Sequence, residues 1–141
     1  MNMTAEMMKS MSMELAGVEG MPASMDMMAM QDCIEACAAA EQACTICADA
    51  SMGEGMAKCA SMCMNAADMS NTTMRMMMRP MGVEMKSMTA VLEASAAMSM
   101  ACADECMKHA GTSETSRMCA QACRAAAEAC ESMMMAMKSA S

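Results

Sequence analysis

Cysteine spacing is the feature that most constrains what this chain can fold into. The sequence holds 11 cysteines, and each falls in a register that repeats by alternating steps of three and four residues. Side chains at those steps lie along one face of an α-helix and form the buried seam of a helical bundle. Charged residues such as Glu41, Asp68 and Arg124 fall outside that register. The pattern therefore predicts helices whose thiols all face a common interior.

The composition supports helix as the main regular element. There are 31 methionines and no Phe, Tyr or Trp, and the branched aliphatic residues are few. Met and Ala are strong helix formers, whereas strands are enriched in β-branched and aromatic residues. Met, Ala and Cys must therefore fill the core, and the predicted fold class is all-α.

Glycine and proline divide the chain into segments. Breaks fall at residues 17–22, 53–55, 80–82 and 111–113, where Gly and Pro end helices and Ser or Thr can begin them. We predict helices over 24–51, 54–79, 81–110 and 113–138, with a short helix near 4–15. Connections this short make successive helices antiparallel neighbours, as in an up-down-up-down four-helix bundle. The expected organisation is an N-terminal segment, 1–22, which carries the short extra helix, followed by the bundle over 23–141.

Charge and hydropathy argue against several classes of partner. The formal net charge is −8, whereas nucleic acids and anionic membrane surfaces bind basic faces. No run approaches the roughly 20 apolar residues that span a bilayer. Glu6, Lys9 and Glu14 interrupt the N-terminal stretch, which lacks the form of a signal peptide. We expect a cytoplasmic protein that binds no nucleic acid and no membrane, with its charges on a solvated surface.

The cysteine pattern indicates a site for soft metal ions. Cys-x-x-x-Cys recurs four times, at 33/37, 59/63, 102/106 and 119/123, and Cys44, Cys47 and Cys130 lie in the same register. Residues four apart stand one above the other on a helix, with Cβ atoms about 5–6 Å apart, so two thiolates can share one metal ion. In a reducing compartment this density favours metal binding over disulfides.

The charge of the metal distinguishes between the candidate ions. A buried thiolate is costly unless it is neutralised. One Cu(I) per thiolate leaves a row of sulfurs neutral, whereas Zn(II) held by four thiolates keeps a negative charge. The seam contains no Lys or Arg, and thiolates and thioethers prefer Cu(I). Cu(I) is therefore the leading metal, and two alternatives stay open: a Zn(II) or mixed-metal thiolate buffer, and a structural or redesigned Met-rich bundle without a metal role.

Methionine and histidine supply further candidate ligands. Most methionines are expected to be packing residues, because Met fills helical cores well. The better thioether candidates are the seam methionines near the ends of the bundle: Met56, Met77, Met85, Met88, Met133 and Met137. His109, the single histidine, follows Cys106 by three residues and is a candidate at a metal entrance. No catalytic arrangement, Gly-rich phosphate loop or Glu-x-x-His pair is present, so we predict no enzyme.

The chain resembles the copper storage protein family of Cys-rich four-helix bundles. The segments that carry the resemblance include Cys33-Ile-Glu-Ala-Cys37, Cys44-Thr-Ile-Cys47, Cys102-Ala-Asp-Glu-Cys106 and Cys119-Ala-Gln-Ala-Cys123. The resemblance covers about 4–137. It implies Cu(I) storage, ions that enter at one open end, and a homo-oligomer, with tetramers of bundles known in the family. Related sequences commonly carry Cys where this chain has Ala40, Ser51, Ala66, Ser70, Ser95, Ser99, Ser116 and Ala126.

The leading hypothesis is storage of several Cu(I) ions in the bundle core. The predicted partners are copper ions and a copper donor or acceptor protein. Met thioethers are expected to assist the thiolates. The predicted thiolate ligands are Cys33, Cys37, Cys44, Cys47, Cys59, Cys63, Cys102, Cys106, Cys119, Cys123 and Cys130.

Overall fold

The computed structural model of the chain describes residues 3–15 and 26–140. Within these residues there is no strand, and the prediction of an all-α fold is confirmed. One 3-10 turn, Pro80–Gly82, precedes the fourth helix. The five helices are α1 Met3–Glu14, α2 Met27–Ala50, α3 Ala57–Met77, α4 Met85–Met107 and α5 Glu114–Ala140.

Local capping explains where several of these helices begin. The Asp26 carboxylate accepts hydrogen bonds from the backbone N–H groups of Met28 and Ala29, at 2.9 and 3.1 Å, and so caps the start of α2. Glu84 caps α4 by accepting from the Ser87 backbone N–H at 3.1 Å. The predicted starts at 24, 54 and 81 were about three or four residues too early, and the predicted ends at 79 and 110 were two or three residues too late, whereas α5 runs two residues beyond the predicted 138. The predicted domain boundary at 22 lies outside the described residues and stays a prediction.

The α2–α5 helices form a closed four-helix ring. The closely packed pairs are α2 with α3, α3 with α4, α4 with α5, and α5 with α2. Gly53 and Gly55 adopt positive φ angles of 103° and 82° and let the chain reverse between α2 and α3. Successive helices are thus antiparallel neighbours, which confirms the predicted bundle.

The two ends of the bundle differ in composition. At the end where α2 begins, large methionines fill the core: Met30, Met77, Met88, Met133 and Met137 are all buried. Helix α1 packs on this end, where Met8 is buried in the same apolar cluster and Met11 lies against it. We call this the methionine end. The opposite end, where α4 finishes, holds His109 just beyond the last helical residue, and we call it the histidine end.

The described helices also bear on membrane insertion. Not one of the helices in residues 3–15 and 26–140 is both long enough and apolar enough to span a bilayer.

Candidate metal centre

All the cysteines lie inside the bundle as free thiols. Each of the 11 is buried, and their relative exposure does not exceed 1%. The sequence-based prediction that every thiol faces the interior is therefore confirmed. The remaining seam positions are buried as well, except at the ends, where Ser51, Met56, Met85 and His109 are partly exposed.

Three thiols form a separate group toward the methionine end. The Cys130 Sγ on α5 lies 3.9 Å from the Cys33 Sγ and 4.0 Å from the Cys37 Sγ on α2. All three sulfur atoms lie within 4.8 Å of one another. Because α2 and α5 pack side by side, Cys130, the last of the three cysteines of α5, faces the Cys-x-x-x-Cys pair of α2. We call these residues the three-thiol group.

Eight thiols form a continuous network toward the histidine end. The closest contact joins the Cys44 and Cys123 Sγ atoms at 3.3 Å. The Cys102 Sγ lies 3.6 Å from the Cys63 Sγ and 4.0 Å from the Cys44 Sγ. All four bundle helices contribute to this set, which we call the eight-thiol group. Its members are Cys44, Cys47, Cys59, Cys63, Cys102, Cys106, Cys119 and Cys123.

The eight-thiol group is built from overlapping sets of four sulfurs. Within each set the Sγ atoms lie no more than 4.8 Å apart. One set, Cys63, Cys102, Cys106 and Cys119, shares two members with each of the other two sets. Metal–thiolate bonds of about 2.3 Å place two sulfurs on one ion at most about 4.6 Å apart. The spacing therefore matches sulfur atoms that share metal ions, with no large rearrangement of the helices.

Hydrogen bonds between thiols and burial together set their proton affinity. In the three-thiol group, bonds from Cys33 and Cys37 lower the pKa of Cys130 to about 3. The bond to Cys130 in turn raises the pKa of Cys37 to about 12. Burial raises the pKa of Cys59 to about 11. At neutral pH Cys37 and Cys59 therefore keep their protons in the metal-free core, as burial in a low-dielectric interior favours.

Copper uptake is expected to release protons from this core. Metals bind thiolates, and Cys37 and Cys59 keep their protons at pH 7 because their pKa values are raised to about 12 and about 11. Fewer protons compete as pH rises, so the apparent copper affinity should increase by about tenfold per pH unit for each proton released. A pH-stat record of an anaerobic Cu(I) titration measures this directly. Uptake without proton release would contradict it.

A buried carboxylate lies beside the histidine end. Glu105 is only 6% exposed, so the expectation that the charges lie on a solvated surface is wrong at this position. Its carboxylate lies 3.2 Å from the Lys108 Nζ and 3.8 Å from the Lys58 Nζ. The hydrogen bond from Lys108 lowers the pKa of Glu105. The residue is buried because the end of α4 packs against the start of α3, which brings Lys58 across to it.

His109 occupies the turn after α4 rather than a position among the thiols. The helix ends at Met107, and the His109 Nε2 lies 3.4 Å from the Glu105 carboxylate. His109 belongs to none of the sets of described residues whose possible ligand atoms all lie within 4.8 Å of one another. The half-buried imidazole and the buried carboxylate together line this end of the bundle.

The methionine candidates divide unequally between the two thiol groups. Met56, at the N-terminus of α3, packs against the eight-thiol group. The other five belong to the apolar cluster that surrounds the three-thiol group. They are Met77, Met85, Met88, Met133 and Met137.

Two side chains near the thiols were missed as candidates because they are serines. The Ser116 Oγ lies 4.0 Å from the Cys47 Sγ, and the Ser51 Oγ lies 3.8 Å from the Cys59 Sγ. Ser51 follows Cys47 by four residues and Ser116 precedes Cys119 by three, so the alternating register places both beside the thiols.

Comparison with known proteins identifies the bundle. A model of the copper storage protein family matches residues 26–135. The structure of Streptomyces lividans Ccsp loaded with 10 copper equivalents is 36% identical, covers 94% of this chain and 98% of its own, and has a TM-score of 0.81. A five-copper form, described as a cytosolic copper storage protein, is 40% identical over 76% of this chain and 92% of its own, with a TM-score of 0.73.

A further structure is a Streptomyces lividans Ccsp mutant with one histidine replaced by alanine. It is 39% identical over 82% of this chain and 99% of its own, with a TM-score of 0.78. No curated protein matches the chain. The extent of the family match and the interior thiols lead to one conclusion: the chain belongs to the copper storage protein family and stores copper through the cysteines of its bundle core.

Proposed function

We propose that this chain stores its copper as Cu(I), with the 11 buried cysteines as thiolate ligands. The observation that carries the proposal is a sulfur-lined interior without a buried cation. Among the described residues, no Lys or Arg is buried, and Glu105 is the one buried charged residue. One Cu(I) for each thiolate leaves such an interior neutral, which avoids the cost of buried net charge. Thiolates also select Cu(I) by their softness.

Zinc is the second candidate because the eight-thiol group offers sets of four sulfurs. Each set could surround one tetrahedral Zn(II). Four thiolates around one Zn(II) would retain two negative charges, and the described core supplies no cation to balance them. Charge therefore favours Cu(I) over Zn(II).

We propose that copper enters at the histidine end. Helix α1 covers the methionine end, where Met8 is buried. The histidine end instead presents the half-buried His109 imidazole, with Met56 packed against the eight-thiol group. We propose His109 and Met56 as transient ligands there. At the other end, Met77, Met85, Met88, Met133 and Met137 are proposed as supplementary thioether donors because they surround the three-thiol group.

The remaining properties are proposals that rest on the relatives and on general chemistry. One relative is described as cytosolic, which supports a cytoplasmic location for this chain. We further propose a storage role without catalysis, a homo-oligomer, and a copper donor or acceptor protein as partner. The copper-loaded relatives support the storage role.

An anaerobic Cu(I) titration against a chromogenic chelator tests the central proposal. We expect close to one tight equivalent per thiolate, or up to 11 per chain, and Zn(II) should not displace bound copper. One equivalent or none would overturn storage as Cu(I), and displacement by Zn(II) would favour the second candidate.

A control variant tests whether exposed methionine thioethers contribute to copper storage. It carries leucine in place of five exposed methionines and should bind as many Cu(I) ions per chain as the unmodified protein. The residues are Met28, Met52, Met64, Met118 and Met135.

A further inference from the structure

Among the described residues, contacts between cysteine sulfur atoms occur within each of the two thiol groups and not between them. Cys37 and Cys44 are the members of the two groups that lie nearest along α2, and Cys123 and Cys130 are the corresponding pair on α5. Each pair is seven residues apart, which is about 10 Å along a helix axis. Helices α3 and α4 have no cysteine in their described halves toward the methionine end. The gap is more than twice the roughly 4.6 Å that one metal ion can bridge between two sulfurs.

Alanine and serine fill the level between the two groups. The side chains there are short and buried, and they offer no sulfur donor. Cu(I) prefers thiolate and thioether ligands, so this level gives it no site of its own. We call this level the Ser/Ala layer, and its residues are Ala40, Ala66, Ser70, Ser95, Ser99 and Ala126.

The hydroxyl groups of this layer are polar atoms without partners. The Oγ atoms of Ser70, Ser95 and Ser99 are buried and make no hydrogen bond within the described residues. A buried hydroxyl without a hydrogen-bond partner destabilises the fold. Ser95 lies beside Cys37 and Cys130, so its hydroxyl can donate to a thiolate there once copper has displaced the thiol protons. The three-thiol group therefore has neutral donors on the side of the Ser/Ala layer.

Thioethers bound the same group on its other side. Met30 precedes Cys33 by three residues, and Met133 follows Cys130 by three, so each lies on the same helix face as its cysteine. Both methionines are fully buried in the apolar cluster that contains the three-thiol group. Hydroxyls on one side and thioethers on the other enclose the three sulfurs.

Resting on the proposed function, we propose that the Ser/Ala layer divides the store into two copper clusters that fill independently. One is an all-thiolate cluster in the eight-thiol group. The other is a mixed cluster in which three thiolates and the Met30 and Met133 thioethers bind the copper ions. The Ser95 hydroxyl donates a hydrogen bond to one of these thiolates. Three Cu(I) ions neutralise the three thiolates.

The division has a kinetic consequence. Copper that enters at the histidine end meets the eight-thiol group first. An ion bound for the three-thiol group must then cross a level without sulfur. The mixed cluster should fill and empty in a separate, slower phase.

Anaerobic loading and chelator removal, followed over time, test the division. For the natural chain we expect a fast phase of about eight equivalents and a slow phase of about three, one per thiolate in each group. The variant C33A/C37A/C130A should lose the slow phase and keep the fast one with unchanged amplitude and affinity. A variant that places sulfur in the layer, A40C/S99C, should merge the two phases into one.

Each failure has its own signature. Absence of tight copper binding by the natural chain would overturn the proposed function itself. Full loading in a single phase, or a changed affinity of the remaining eight sites in C33A/C37A/C130A, would overturn only the division into two clusters. If that triple variant does not fold by circular dichroism, C130A alone removes the sulfur that contacts both partners and must reduce the amplitude of the slow phase while it leaves the fast phase unchanged.

Discussion

Loading the metal-free chain with Cu(I) is expected to raise its unfolding midpoint by about 20 °C or more. A ligand that binds only the folded state adds about 4 kcal/mol per site at a thousandfold excess over Kd, and several sites add together. We expect a low midpoint for the metal-free chain, because flexible methionine specifies a core poorly and three buried hydroxyls have no hydrogen-bond partner among the described residues. Anaerobic thermal denaturation followed by circular dichroism measures the shift.

The variant C33A/C37A/C130A provides the control for this experiment. It keeps the eight-thiol group and should retain most of the gain in midpoint. An unchanged midpoint for the natural chain at saturating copper would contradict the expectation, since copper would then bind no more tightly to the folded than to the unfolded chain.

Replacing the central set of four cysteines should remove more copper than four thiolates account for. Cys63, Cys102, Cys106 and Cys119 share members with both other sets of the eight-thiol group. Their replacement by alanine leaves two separate pairs: Cys44 with Cys123, whose sulfurs are 3.3 Å apart, and Cys47 with Cys59, whose sulfurs lie within 4.8 Å of each other. We expect a loss clearly larger than four equivalents, measured by equilibrium dialysis against a chelator.

Two comparisons make this result interpretable. The C33A/C37A/C130A variant, which removes a complete group, should lose only about three equivalents, one per thiolate. A loss of four equivalents or fewer in the central variant would mean that each thiolate binds copper on its own, without shared ions.

The sequence predicts the direction of every thiol but not its partners. Helical period alone decides which face a residue occupies, so the burial of all 11 cysteines followed from spacing. Grouping depends on how neighbouring helices are aligned, which a single sequence does not encode in its period. The contact of Cys130 with both Cys33 and Cys37 arises from the packing of α5 on α2.

The histidine end shows a second limit of sequence reasoning. The expectation placed His109 at the end of a helical seam, yet α4 ends at Met107 and the imidazole turns toward Glu105. Glu105 itself was assigned to the surface because its register lies outside the seam. Its burial follows from the packing of α4 against α3, which also brings Lys58 to within 3.8 Å of the carboxylate, and such contacts depend on tertiary structure.

On the proposed route, helix α1 covers one end of the bundle and copper enters and leaves only past His109. Copper nearest α1 then arrives last and also leaves last, because each ion passes the eight-thiol group in both directions. The copper bound by the eight-thiol group, next to His109, is then the more readily exchanged part of the store. The copper bound by the three-thiol group, beneath α1, is a reserve that is released only after the eight-thiol group has lost its copper.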